Sequence, residues 1–260
     1  MNATGTEYVL AVIPARYGST RLPGKPLKDI GGLPMIAHVI DRVRHARLVN
    51  EVMVATDDRR IAEAAEAAGA TAVMTSSELQ SGTDRIAAAV RDRSDATIVV
   101  NVQGDEPLLP AAMVDQTVNQ FLKSDWAHAG TLVKRISSGT DLRNPSIPKV
   151  VLGINGECLY FSRSTIPYLR DVPETDWLAK GAYWKHIGLY VFRRDFLFQY
   201  ASLPQTPLEL SEKLEQLRIL EHGFRMVAAV TELDSIAVDT EEDLARVRAI
   251  VEGKPQEPAD

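Results

Sequence analysis

Residues 8–27 read Tyr8-Val9-Leu10-Ala11-Val12-Ile13-Pro14-Ala15-Arg16-Tyr17-Gly18-Ser19-Thr20-Arg21-Leu22-Pro23-Gly24-Lys25-Pro26-Leu27. The first six form an unbroken apolar run with no polar alternation to mark a solvent face. Residues 8–13 are therefore predicted to form a buried strand. The segment that follows is neither a Walker loop nor a GxGxxG fingerprint. In an open parallel sheet ligands gather at the carboxyl ends of strands, and this segment leaves such an end. It carries Arg16, Arg21 and Lys25 within ten positions on a Pro/Gly frame. Gly18 and Gly24 let the backbone approach a ligand closely. Three cations so held suit a triphosphate, because a leaving pyrophosphate gains charge in the transition state and fixed cations accelerate the step. A solvated basic loop is the alternative reading of the same residues.

Outward from this loop, short apolar runs alternate with helical periodicity. Strands are predicted at 8–13, 51–55, 72–74 and 97–102, and helices at 35–45, 61–68, 86–91 and 111–123. Such alternation indicates an α/β fold with a mostly parallel, doubly wound sheet covered on both faces. The second half is more mixed, with strands at 128–136, 149–152, 157–161, 186–192 and 226–230. One helix is predicted over 207–222. Thr206 is its N-cap, Pro207 its first residue, Glu209 the returning partner of a capping box and Gly223 its stop. A last helix spans 241–252. No linker divides the chain, so 1–252 is taken as one domain with a smaller lobe within about 128–225. The Pro/Glu-rich tail 253–260 is predicted to be disordered.

Composition narrows the function. The 260 residues carry a net charge of −6, which argues against nucleic acid as the main partner. It leaves anionic small substrates open, since a few local cations suffice to hold them. No apolar run approaches the roughly 20 residues of a membrane span. Residues 1–7 lack the order of a signal peptide, so nothing suggests export. The single cysteine, Cys158, excludes an intrachain disulfide and a cysteine zinc site, and reads as a buried thiol.

Two acidic positions follow predicted strands. Asp105 lies in Gln103-Gly104-Asp105-Glu106-Pro107, where it is either a metal ligand beside the first loop or an ordinary turn residue. Asp239 ends a predicted strand, where it is either a ligand or a helix N-cap, although Thr240 can also cap the helix with Asp243 three residues on. Asp58 is predicted to cap the helix after the second strand. Ser81-Gly82-Thr83-Asp84-Arg85 opens a helix, and is either a plain cap or a set of amides and hydroxyls for a base or ribose.

The loop Arg16-Tyr17-Gly18-Ser19-Thr20-Arg21-Leu22-Pro23-Gly24-Lys25-Pro26-Leu27 closely resembles the signature of the 3-deoxy-manno-octulosonate (Kdo) cytidylyltransferase family. Further segments agree in order and approximate spacing. They are Ala55-Thr56-Asp57-Asp58, Ser81-Gly82-Thr83-Asp84-Arg85, Val100-Asn101-Val102-Gln103-Gly104-Asp105-Glu106-Pro107 and Tyr160-Phe161-Ser162-Arg163, then Lys185-His186-Ile187-Gly188-Leu189-Tyr190, Leu214-Glu215-Gln216-Leu217-Arg218 and Val238-Asp239-Thr240. The resemblance runs from about residue 8 to 250.

It implies a Rossmann-like sheet of the nucleotide-diphospho-sugar transferase type, and transfer of CMP from CTP to the sugar acid. It further implies Mg²⁺ held by Asp105 and Asp239, and catalytic roles for Arg16, Arg21, Lys25 and Asp105. CTP falls to Ala15, Arg16, Lys25, Ser81, Gly82, Arg85 and Gln103. The sugar falls to Gln103, Arg163, His186, Tyr190, Glu215 and Gln216. A cytoplasmic homodimer, built through the second half and serving lipopolysaccharide biosynthesis, is the implied setting, with no nucleic-acid or membrane partner. Two departures stand out. Leu79 occupies the place of a histidine usual in the family, and Ala237 that of a glycine. Variants of the family take the 8-amino form of the sugar, so that substrate is the alternative. Another nucleotide or sugar acid, or a non-catalytic nucleotide-binding scaffold, are the remaining rivals. A dinucleotide oxidoreductase is disfavoured by the missing GxGxxG.

Overall fold

The computed structural model describes residues 7–18, 21–79 and 81–253. The expectations for residues 1–6 and for the tail from 254 lie outside these, as do Ser19, Thr20 and Gln80. The chain forms two compact units, one of residues up to 115 together with those from 234 onward, the other Gln116–Leu233.

The first unit begins with β1 (Val9–Ala15), whose residues Leu10–Ile13 are wholly buried. After the loop come the two-residue strands β2 (Asp29–Ile30) and β3 (Leu33–Pro34), then α1 (Met35–Arg44). Next are β4 (Glu51–Thr56), α2 (Arg59–Ala67), β5 (Thr71–Met74), α3 (Gly82–Ala89) and β6 (Ile98–Asn101). The strands pair in the order β6-β1-β4-β5, all parallel. This is the mostly parallel, Rossmann-like α/β arrangement that the apolar runs predict. Such strands are covered on both faces and read as continuous hydrophobic stretches. Asp58 caps α2 as expected, its carboxylate accepting from Arg60 N at 2.9 Å. The division between the units falls within α4 (Ala111–Leu122).

The second unit contains, in chain order, β7 (Ala129–Arg135), α5 (Gly139–Arg143), β8 (Lys149–Leu152), β9 (Cys158–Ser162), α6 (Trp177–Lys180), β10 (Trp184–Arg193), α7 (Arg194–Ser202), α8 (Pro207–Glu212), α9 (Leu217–Glu221) and β11 (Met226–Thr231). Here β11 runs parallel to β7, whereas β7–β10, β10–β8 and β8–β9 are antiparallel. Cys158 is buried, and burial pushes its thiol pKa far up.

Two expectations need correction. The single helix over 207–222 is two helices, because Lys213 turns into the left-handed region (φ 53°) and ends α8. Gly223 does supply the final stop, at φ 80°. Residues 235–239 form no strand. Instead Val238 N donates to Asp105 O at 2.8 Å, pinning this segment to the turn after β6. The closing helix α10 (Glu241–Val251) is capped by Thr240, which forms a reciprocal capping box with Asp243. The N-cap reading of Asp239 is thereby removed. A cluster of Leu22, Ile30, Met35, Val238, Leu244 and Val247 packs the first loop against α10 and the 238 segment. That packing sets the distance between Lys25 and Asp239.

Candidate active site

In the first unit, an open cleft of ≈ 340 Å³ lies at the carboxyl end of β1. Arg16, Arg21 and Lys25 line it from the loop, Gln103 and Asp105 from the turn after β6, Ser81 and Gly82 from the start of α3, and Asp239 from the segment before α10. Ala15 is buried at the end of β1 and does not line the cleft. The loop is held in shape by its own backbone. Gly24 sits at φ 64°, and a Cβ there would meet the Tyr17 ring at 3.1 Å, so the aromatic ring and the left-handed turn both call for glycine. Asp57 ties the loop down, accepting from Tyr17 N at 3.1 Å through one oxygen and from Arg85 through the other, also at 3.1 Å.

The centre of the cleft is a three-way ionic contact. Lys25 Nζ donates to Asp105 Oδ2 at 2.7 Å, to Val238 O at 2.9 Å and to Asp239 Oδ1 at 3.1 Å. Arg21 adds a second cation to Asp239 at 3.1 Å. Two carboxylates 134 residues apart in sequence thus face one ammonium nitrogen. This is the donor set magnesium favours, namely few carboxylates, with room for water and phosphate oxygens to complete the shell. The Lys25 ammonium is the stand-in cation by which that fit is judged. No group of three or more His, Cys, Asp or Glu gathers into a metal cluster among the described residues. Next to Asp105 in the chain, Glu106 Oε2 is buried with no hydrogen-bond partner. Burial is the main reason the Glu106 pKa is pushed up to about 7, with the charge of Asp105 adding to it and the nearby Ser235 hydroxyl opposing.

Of the expected CTP residues, Arg85 behaves differently from a free cation. It is almost fully buried, and its guanidinium is committed to Asp57 and the Thr75 hydroxyl. Gln103 donates to Asn101 Oδ1 at 3.4 Å. Leu79 lines the cleft, so the apolar departure from the family pattern falls within the site.

The remaining predicted residues lie in the second unit. The His186 ring packs edge-on against Phe161 and tilted against Tyr190, with ring centroids 5.1 and 5.4 Å apart. Its Nε2 pairs with Thr131 Oγ1 at 2.9 Å, and that hydroxyl also donates to Leu189 O at 2.9 Å. Enclosure pushes the His186 pKa down to about 3. Tyr190 donates to Gln216 Oε1 at 3.3 Å. The Tyr190 hydroxyl is shifted strongly upward, first by burial and then by the charge of Glu215. Gln216 is 3% exposed, and its Nε2 has no partner. The structure therefore brings His186, Tyr190, Glu215 and Gln216 together. Arg163 differs from them, its Nε, Nη1 and Nη2 donating to the backbone carbonyls of Glu212, Pro145 and Lys213. Asp57, Gly104, Thr131 and Glu212 were not among the expected site residues. Asp57 had a signal in its position after β4, while nothing in the local pattern of 207–222 marks Glu212.

Comparison with known proteins agrees with this geometry. A family model described as Cytidylyltransferase matches residues 10–236. The chain is 50% identical over 244 residues to 3-deoxy-manno-octulosonate cytidylyltransferase of Geobacter metallireducens, covering 92% of this chain and 96% of that one. It is 49% identical over 245 residues to the protein of the same name from Trichlorobacter lovleyi, covering 92% and 97%. Among solved structures, a CMP:2-keto-3-deoxy-manno-octonic acid synthetase complexed with CTP superposes with a TM-score of 0.88 at 40% identity, covering 95% of this chain and 99% of the other.

Proposed function

The chain belongs to the cytidylyltransferase family, and from that premise we propose that it transfers CMP from CTP to the anomeric hydroxyl of 3-deoxy-D-manno-octulosonate, releasing pyrophosphate. The observation that carries this reading is the pair of carboxylates, Asp105 and Asp239, facing one cation in a cleft that Arg16 and Arg21 also line. In the proposed step, the bond from the sugar oxygen to the α-phosphorus forms as the bond to the bridging β-phosphate oxygen breaks. The hydroxyl proton passes to solvent water, and the charge that builds on pyrophosphate is met by Arg16, Arg21 and Lys25. Positioning and charge stabilisation do most of the work in such transfers. A divalent ion, taken to be Mg²⁺ held by Asp105 and Asp239, would supply Lewis-acid polarisation of the phosphoryl oxygens. Lys25 then has a second task, because it must leave the two aspartates for the triphosphate.

Ser81, Gly82, Arg85 and Gln103 are assigned to the cytidine and ribose side, Arg85 acting through Asp57 and the helix start, with Ala15 behind the cleft at the end of β1. His186, Tyr190, Glu215 and Gln216 are assigned to the sugar acid. Gln216 Nε2, a buried amide donor without a partner, is the donor in the second unit best suited to a sugar oxygen. The setting we propose is cytoplasmic, in lipopolysaccharide biosynthesis, with the protein working as a homodimer through the 128–225 lobe. Among the described residues, no helix is long and apolar enough to cross a membrane.

A pyrophosphate-release assay over four nucleoside triphosphates and a panel of ulosonates, with and without Mg²⁺, tests the reading. Turnover with CTP and Kdo only in the presence of a divalent ion is expected. Preference for the 8-amino sugar would connect Leu79 to sugar choice, and no turnover on any pair would favour a binding scaffold. Asp105→Ala should abolish turnover while leaving the circular dichroism spectrum unchanged, and an active variant would refute the metal assignment.

A further inference from the structure

Resting on the reading of Gln216 as a sugar residue, we propose that Arg218 is a positioning residue for the sugar acid, and that its buried contact with Glu209 sets the α8–α9 corner that aims Gln216. Glu209 and Arg218 are nearly fully enclosed, at 5% and 7% exposure. Arg218 Nε donates to Glu209 Oε2 at 2.8 Å and Nη2 donates to Oε1, a forked contact between α8 and α9. Nη1 reaches Leu203 O, just past α7, at 3.3 Å. The guanidinium carbon lies over the Tyr200 ring, 5.5 Å from its centroid. One side chain thus joins three helices. Burial raises the Glu209 pKa, but the hydrogen bonds and charge of Arg218 outweigh it and hold the carboxyl below its ordinary value, so the pair is ionised at neutral pH.

The pair reaches Gln216 through the backbone. Glu215 O accepts from Arg218 N at 3.1 Å and from the Tyr200 hydroxyl at 2.9 Å, the same tyrosine whose ring lies under the guanidinium. Gln216 O accepts from Ile219 N at 3.2 Å. The two peptide units that flank the Gln216 Cα are therefore both held, one by Arg218 and Tyr200 and the other by α9. At the far side of the corner Glu221, the last residue of α9, accepts from Leu208 N at 3.0 Å and Glu209 N at 3.3 Å, in the first turn of α8. Between these ties Lys213 takes φ 53°, a left-handed turn that a residue with a Cβ disfavours. The corner needs partners beyond its own backbone. Gln216 is 3% exposed, its Oε1 accepts from the Tyr190 hydroxyl at 3.3 Å, and its Nε2 has no partner. With one end of the amide taken, the direction of the other follows the Cα. A buried ion pair often adds little stability over apolar residues of like volume. What this pair contributes is geometry.

The test separates aim from stability. Arg218→Lys keeps the charge but loses the planar fork. It should raise the KM for the sugar acid about fivefold and leave the KM for CTP within about twofold. Gln216→Ala alone should raise the sugar KM about tenfold, the worth of one hydrogen bond. Because the lysine variant acts through Gln216, the double variant Arg218→Lys/Gln216→Ala should stay within about twofold of Gln216→Ala rather than reach the roughly fiftyfold of independent effects. Glu209→Leu/Arg218→Met removes both charges, and should keep Tm within about 4 °C of native yet show the same selective rise in sugar KM. A double variant near the independent product would mean that Arg218 acts on the sugar by another route, and equal rises in both KM values would mean a general loosening; either overturns the proposal. So does a native sugar KM in Arg218→Lys or in the apolar pair. Should the apolar pair fail to fold, the lysine variant and its cycle with Gln216→Ala decide alone. If Gln216→Ala leaves the sugar KM unmoved, the reading of Gln216 as a sugar residue fails and the proposal falls with it. If that defect is present and the cycle is additive, the proposal falls alone. Should the sugar that turns over be one other than Kdo, the same cycle with that sugar decides the role of Arg218.

Discussion

Replacing Lys25 by methionine removes the ammonium but keeps much of the chain length, leaving Asp105 and Asp239 without their shared cation. The side chain of Lys25 is 15% exposed and those of the aspartates 28% and 39%, so the contact is neither a surface pair nor a fully buried one. Exposed ion pairs contribute about 0–1 kcal/mol, and breaking buried ones costs about 3–5 kcal/mol. The intermediate exposure, with water still able to solvate both carboxylates, places the loss at about 2 kcal/mol. For a chain of this size that lowers Tm by roughly 4–8 °C. The loss should depend on the medium. In EDTA the full drop is expected. In millimolar Mg²⁺ a divalent ion neutralises the aspartates in place of the ammonium, so the gap between native and Lys25→Met should close to about 2 °C or less. The variant should be stabilised by Mg²⁺ more than the native protein is, since no lysine has to be displaced. Thermal unfolding followed by calorimetry, in EDTA and across a Mg²⁺ titration, reads all of this. An equal deficit in both media would falsify the idea that lysine and metal share one seat, and no deficit in either would show that the three-way contact does not stabilise the fold.

Three more outcomes follow from geometry already given. Gly104→Ala puts a Cβ 3.0 Å from the Pro14 carbonyl oxygen, so the turn bearing Asp105 must shift by a few tenths of an ångström, and kcat is expected to fall about tenfold with little change in Tm. His186 has a folded pKa of about 3 against 6.5 when free. A histidine lowered in the folded state contributes stability that is whole above pH 6.5 and is lost as pH falls from there toward 3. His186→Gln should therefore flatten the decline of unfolding free energy between pH 6.5 and 4, and an unchanged slope would remove His186 as its source. Cys158 is buried with its thiol pKa pushed far up, so a thiol reagent should label it only after unfolding; rapid labelling of the native protein would contradict its burial.

The parts of the fold that were readable are those where local chemistry has one solution. The run Leu10–Ile13 has no polar face, and only a strand covered on both sides accepts it. Thr240 with Asp243 three residues on is a cap by its own hydrogen bonds, which frees Asp239 for the cleft. The loop cations were readable because nothing apolar competes for them. Other parts depend on partners far along the chain. α7 escaped notice because Arg194–Ser202 is rich in aromatics, runs directly out of β10 and earns its helix from packing, with Phe196, Leu197 and Tyr200 buried. The break at Lys213 leaves no mark in the leucine spacing of 207–222, and the side chain that bonds its carbonyls, Arg163, lies 50 residues earlier. The carbonyls that take three of the five Arg163 N–H donors likewise carry no side-chain signature.

The closing of the first unit by residues from 234 onward has a consequence for the protein's birth. Asp239 is made 214 residues after Lys25, the residue it faces in the cleft. At about 5–20 residues per second, the ribosome needs on the order of 7–27 s to go from Asp105 to Asp239. Through that interval a nascent strand cluster has a nucleotide cradle with one aspartate missing. Prematurely terminated chains should thus be catalytically silent however well their amino-terminal half has collapsed, and cells would be spared unproductive CTP consumption by fragments.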